Sequence, residues 1–165
     1  MEIETSPAGR ALVVIVDDRH ALGERPETIG PLVRELLTES GFHVDAIVAV
    51  NAEEVEIRNA LNTAVIGGVD LVISIGGTGS TARDVTPEAT DDILDRELPG
   101  VAEAIRASGR ADSVLDAALS RGLAGVSGST VVINFASSRA AVRDGMATIG
   151  PLVSHVLAEQ TDFEG

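Results

Sequence analysis

The sequence predicts an α/β chain: a three-layer α/β/α arrangement with a mostly parallel sheet and one antiparallel hairpin strand. Three observations carry that expectation. Short apolar runs rich in β-branched residues occur at 11–17, 43–50 and 70–75, the pattern of strands buried on both faces. Segments with apolar residues at helical spacing lie between them. Farther along, two apolar stretches flank Ser127-Gly128, the layout of a hairpin.

Taken in order, ALVVIVD (11–17) is the first strand. From Ile29, apolar residues at 29, 32, 33, 36 and 37 mark an amphipathic helix, and Gly41 stands where a helix-ending glycine belongs. HVDAIVAV (43–50) is the second strand. Ile57, Ala60, Leu61, Ala64 and Val65 repeat the helical spacing until Gly67-Gly68 stop it. DLVISI (70–75) is the third strand. A β-α-β-α-β order argues for a parallel sheet with right-handed crossovers. Thr86 reads as a helix cap with Pro87 at the first helical position, and that helix is expected to run to about Arg96. Pro99-Gly100 break it and VAEAIRAS begins another. VVINF (131–135) is the last strand, and a final helix starts near Ser138 with Pro151 inside it, so a bend is expected around Gly150. Residues 11–160 read as one domain, with flexible tails at 1–10 and 161–165.

Composition narrows the function classes. The 165 residues, 44% hydrophobic, suit one domain with a core. No apolar run is long enough for a transmembrane helix, and the polar, acidic N-terminus lacks the layout of a signal peptide. The absence of cysteine removes disulfides, thiolate metal sites and a Cys nucleophile, and fits a cytoplasmic protein. The three histidines are far apart in sequence and show no zinc-like spacing. Twelve basic residues are scattered among 26 acidic ones, giving a net charge of −14, and there is no Trp or Tyr. Direct nucleic-acid binding through a basic face is therefore not expected. One small anionic ligand remains compatible, because charge repulsion is screened over about 8 Å in physiological salt.

The informative stretch is SIGGTGSTARDVTPEA (74–89), at the carboxyl end of the third strand. Ligands in such sheets sit beyond the carboxyl ends of the strands. Gly76, Gly77 and Gly79 permit close backbone approach, Thr78 lies among them, and loop amides pointing inward make an anion-binding concavity. Ser80, Thr81 and Thr86 add hydroxyl donors, and Arg83 can grip a phosphate with two bonds. Asp84 would repel that phosphate unless it served a purpose such as holding Mg²⁺. The plainer alternative is a glycine-rich turn in which Asp84 and Glu88 merely favour a helix N-terminus. A P-loop is ruled out by the lack of Lys, and Ala82 stands where a dinucleotide fingerprint needs its last Gly.

This string resembles the signature of the molybdopterin-binding family of molybdenum-cofactor biosynthesis, the Mog/MoaB type. DRELPG (95–100), AIR (104–106), LSRGLAGVSG (119–128) and VVIN (131–134) follow in the family's order. Upstream, DDR (17–19) is similar to the family's Ser-Asp-Arg, which brings Asp18 and Arg19 into the expected site, and GP (30–31) is similar to its Gly-Pro. The resemblance implies a homo-trimer or hexamer that binds molybdopterin near this loop. It also implies adenylyl transfer from ATP with Mg²⁺, Asp84 being the catalytic and metal-side carboxylate. A non-catalytic pterin-binding or regulatory member with a protein partner is the alternative.

The chain departs from the family pattern at three places. Ser80-Thr81-Ala82 replaces Gly/Pro-Pro before Arg-Asp. Asn134-Phe135-Ala136-Ser137-Ser138-Arg139 replaces Asn-Leu-Pro-Gly-Ser/Gln-Pro, although Asn134, Ser137, Ser138 and Arg139 keep polar groups for a phosphate. After the second strand the family commonly has Val-Pro-Asp-Asp, where this chain has Val50-Asn51-Ala52-Glu53. The second catalytic carboxylate that the resemblance implies falls at Ala52 or Glu53. Glu53 is the candidate replacement; equally, Asn51 could cap a helix with Glu53 and Glu54 in its first turn.

Overall fold

A computed structural model describes residues 9–18, 29–110 and 113–164. The elements are β1 (Gly9–Val16), α1 (Ile29–Glu39), β2 (Phe42–Val50), α2 (Glu54–Ile66), β3 (Leu71–Ile75), α3 (Thr86–Asp91), β4 (Arg96–Glu97), α4 (Pro99–Ala107), α5 (Val114–Leu119), β5 (Ala124–Ser127), β6 (Thr130–Phe135) and α6 (Arg139–Glu164). They form one six-stranded sheet in the order β2-β1-β3-β6-β5-β4. The pairs β1–β2, β1–β3 and β3–β6 are parallel. β5 runs antiparallel to both of its neighbours, β6 and β4.

The two-residue period of the strands divides the core. Odd-numbered Val13, Ile15, Ile73, Ile75, Ile133 and Phe135 pack with Val33 and Leu37 of α1 and with Val142 and Ile149 of α6. Even-numbered Val14, Val16, Val72 and Val132 pack on the other face with Ile57 and Leu61 of α2 and Ala89 of α3. Residues on both faces of the central strands are buried, which is why those strands read as continuous apolar runs rather than alternating ones. Among the described residues, no helix is long and apolar enough to cross a membrane.

Three expectations need correction. The helix begun at Thr86 ends at Asp91 instead of near Arg96, and Arg96–Glu97 form an edge strand on β5. Leu98, rather than a residue after Pro99-Gly100, is the N-cap of α4, with Pro99 in its first turn, a position that needs no amide donor. β1 begins at Gly9 and α6 continues through Glu164, so Gly9-Arg10 are strand and residues 161–164 are helical where tails were expected.

The register brings the functional ends together. Ile15 pairs with Ile75, Ile75 with Phe135, and Val16 with Val50. The chain therefore leaves β1, β2, β3 and β6 at the same edge of the sheet.

Candidate functional site

The loop after β3 is shaped by two glycines with positive φ, Gly76 (+104°) and Gly77 (+71°). A Cβ on Gly76 would lie 2.5 Å from the Val16 carbonyl oxygen, and one on Gly77 2.3 Å from Thr86 Oγ1. The Gly76 amide donates to the Phe135 carbonyl (2.9 Å), and its own carbonyl accepts from the Thr86 hydroxyl (2.9 Å). The Thr86 amide donates to the Gly77 carbonyl (3.0 Å).

Asp84 folds back into this loop. Its Oδ2 accepts from the Thr81 amide (2.9 Å) and the Thr81 hydroxyl (2.8 Å). Partial burial pushes the Asp84 carboxyl up. The Thr81 hydroxyl, the Thr81 and Gly79 amides and the Arg121 charge outweigh it and hold the group below its ordinary value. Asp84 is therefore ionised at neutral pH and occupies the amide-lined turn with its own carboxylate.

Two cavities meet at this carboxylate. One, of about 250 Å³, lies between the glycine loop (Gly77–Ser80), α5 (Leu115, Asp116, Leu119) and the Ala136-Ser137 turn. The other, of about 360 Å³, is lined by Asp17, Asp18, Ala52, Gly76 and Arg83. Gly77, Asp84 and Ser137 line both. In the second cavity Asp18 Oδ1 accepts from the Ala52 amide (2.7 Å), and Asp18 Oδ2 pairs with the Arg83 guanidinium. Asp18 thus ties the ends of β1 and β2 to the glycine loop.

The expected site residues divide into those at the cavities and those turned inward. Gly76, Gly77, Thr78, Gly79, Ser80, Arg83, Asp84, Asp18 and Ser137 line one cavity or both. Thr81 instead supports Asp84. Thr86 is neither a side-chain cap nor a ligand donor: it is fully buried, Val85 is the N-cap, and its hydroxyl is spent on Gly76. Asn134 is likewise turned inward. Its Nδ2 donates to Ser74 Oγ (2.7 Å) and Thr90 Oγ1 (3.0 Å), and its Oδ1 accepts from the Leu123 amide (3.0 Å). It clamps β3, α3 and the entry to β5, because a buried amide must satisfy its hydrogen bonds internally. The Ser138 hydroxyl accepts from the Ala141 amide and caps α6, and Arg139 is exposed at the start of that helix. Glu53 is exposed at the N-cap position of α2 and lines neither cavity; Ala52 stands on the wall. Asn51 is not the cap residue. Arg19 lies outside the described residues.

Sequence reasoning missed α5 and Arg121. α5 supplies Leu115 and Leu119, 71% and 69% exposed, as an apolar flank of the smaller cavity. Arg121 bonds the glycine loop from outside, through Gly79 and Asp84 carbonyls and the Glu88 carboxylate. The available signal was its place within LSRGLAGVSG, as a rare cation in an acidic chain.

Residues 12–155 match the family model described as "Probable molybdopterin binding domain". The chain is 35% identical over 149 residues to the molybdopterin adenylyltransferase of Pyrococcus furiosus, covering 88% of this chain and 87% of that protein. It is 36% identical over 148 residues to a molybdenum cofactor biosynthesis bifunctional protein of Synechococcus elongatus, covering 90% of this chain but only 46% of the relative. A crystal structure of a molybdopterin biosynthesis protein from Mycobacterium abscessus superposes with a TM-score of 0.91 at 60% identity, covering 96% of this chain and all of that one. With the matched domain spanning the sheet and both cavities, the chain belongs to the molybdopterin-binding family of molybdenum-cofactor biosynthesis, of the Mog/MoaB type.

Proposed function

We propose that this protein binds molybdopterin and transfers an adenylyl group to it from Mg-ATP in the cytoplasm. The observation that carries the reading is the common wall of the two cavities, where Asp84 faces both. Two ligands seated there would meet at one ionised carboxylate. Leu115 and Leu119 give the smaller cavity a flank for a planar heterocycle, and Asp18, Arg83 and Asp84 give the larger one charged groups suited to a nucleotide's phosphates and their cation.

In the reaction, an oxygen of molybdopterin's terminal phosphate forms a bond to the α-phosphorus of ATP. The bond from that phosphorus to the α–β bridging oxygen breaks, and pyrophosphate leaves with the electron pair. The nucleophile is already an anion, so the site needs no strong base. Its work is positioning and charge neutralisation. Arg83 forms an ion pair with Asp18, with 63% of the arginine side chain exposed. Exposed pairs are weak, so a phosphate offering two oxygens to the guanidinium can replace Asp18. The Ser80 and Ser137 hydroxyls at the cavity walls supply further donors.

The donor set suits Mg²⁺. Among the described residues no group of three or more His, Cys, Asp or Glu is gathered for a metal. Mg²⁺ characteristically takes one or two carboxylates with substrate phosphates, and Asp84 and Asp18 on one cavity provide that number. Bound there, Mg²⁺ would neutralise charge on the transferring phosphoryl group.

The test is pyrophosphate release from Mg-ATP on addition of molybdopterin to the full chain, measured with a coupled phosphate assay. Turnover is expected. Molybdopterin binding by calorimetry without pyrophosphate release would replace this reading with a non-catalytic pterin-binding or regulatory role, which Ala52 on the cavity wall favours. The reading includes a homo-trimer or hexamer, so sedimentation equilibrium is expected to give three or six times the chain mass; a monomer would contradict it.

A further inference from the structure

We infer that Arg121 is a positioning residue for this site, and that the fork geometry of its guanidinium, beyond its charge, fixes the 78–84 loop and with it the place of Asp84. Arg121 lies on the connection between α5 and β5 and lines neither cavity. Its Nε donates to the Gly79 carbonyl (2.8 Å) and its Nη2 to the Asp84 carbonyl (2.7 Å). Nη1 and Nη2 also hold the two oxygens of Glu88 (2.9 and 3.1 Å), in the first turn of α3. Its main-chain amide donates to the Thr78 carbonyl (2.8 Å).

One residue thus grips the loop at three carbonyls and anchors itself to the helix that follows. The Glu88 pair is exposed on both sides, at 43% and 44%, so it contributes little to stability by itself. The carbonyl contacts act differently. Those at Gly79 and Asp84 bracket the turn within which Thr81 holds the Asp84 carboxylate. Holding both brackets and the Glu88 carboxylate at once requires donors spread across a rigid plane. A guanidinium has them; a lysine ammonium gathers its three donors on one atom and cannot span the same set.

The inference depends on the adenylyl-transfer reading only for its kinetic readout. The test compares Arg121→Lys and Arg121→Ala with the parent chain, with folding checked by thermal melting; if the alanine variant does not fold, the lysine variant decides. Hydrogen exchange of the ligand-free proteins is expected to speed up by roughly fivefold or more across 78–84 and to stay unchanged in β1 and β6. The kcat for pyrophosphate release is expected to fall by roughly tenfold or more in both variants, with KM for either substrate within about threefold. An Arg121→Lys chain with parental exchange and kcat would overturn the inference, since charge alone would then suffice. Faster exchange with parental kcat would overturn it too, leaving only a structural role. If the parent chain releases no pyrophosphate, adenylyl transfer fails as the function and the ligand-free measurements decide on Arg121. Unchanged exchange across 78–84 in Arg121→Lys would then overturn the proposal.

Discussion

Replacing Asp84 with asparagine is expected to lower the rate of pyrophosphate release by roughly 100-fold or more while molybdopterin binding stays within about tenfold. The substitution is nearly isosteric and keeps an oxygen that can accept from Thr81, so the turn that holds it survives. What it removes is the negative charge on a side chain that, with Ser137, lines both cavities among the described residues. That charge is secure in the parent chain, because the Thr81 hydroxyl, two amides and Arg121 favour the ionised form against the cost of burial. An Asp84→Asn variant retaining more than a tenth of parental turnover would remove Asp84 from the reaction. A calorimetric titration with molybdopterin in the same variant separates lost chemistry from lost binding.

Gly76→Ala is expected to destabilise the protein by about 3 kcal/mol or more, through strain at a backbone conformation that L residues rarely adopt. Gly76 sits at φ +104°, and the new Cβ would lie 2.5 Å from the Val16 carbonyl oxygen. That oxygen belongs to the neighbouring central strand, whose register with β3 is fixed from Ala11 to Ile15. No side chain can rotate away to relieve the contact. The Gly76 amide and carbonyl are also engaged, with Phe135 and Thr86. For a chain of this size the loss corresponds to a fall in Tm of about 6–12 °C. Urea denaturation showing a loss below about 1 kcal/mol would mean that the loop relaxes more freely than its contacts imply.

The parts of this molecule that could be read from the sequence are those fixed by local pattern. The runs at 11–17 and 70–75 announce β1 and β3 because those central strands are buried on both faces, whereas the run at 43–50 announces β2, an edge strand with His43, Asp45 and Val48 exposed, by its β-branched residues. The glycine loop announces itself because positive φ at Gly76 and Gly77 demands that residue type. β4 was not legible. Arg96 and Glu97 carry no period, and they are a strand only because Val126 and Gly125 lie beside them.

Thr86 and Asn134 show a second kind of limit. A hydroxyl or an amide is equally suited to a ligand and to a buried neighbour, and the choice depends on packing with residues far along the chain. Gly76 claims Thr86, while Ser74 and Thr90 claim Asn134. Arg121 illustrates the same limit from the other side, since its side-chain contacts begin 42 residues earlier, at Gly79.

The shared wall has a thermodynamic consequence. Gly77, Asp84 and Ser137 belong to both cavities, so a ligand that shifts Asp84 or neutralises it changes the energy of whatever occupies the other chamber. With the proposed pterin and nucleotide in the two chambers, linkage makes the effect reciprocal: the factor by which the pterin would change nucleotide affinity equals the factor by which the nucleotide would change pterin affinity. Those two shifts would be two measurements of one coupling free energy, carried by the Asp84 side chain between the chambers.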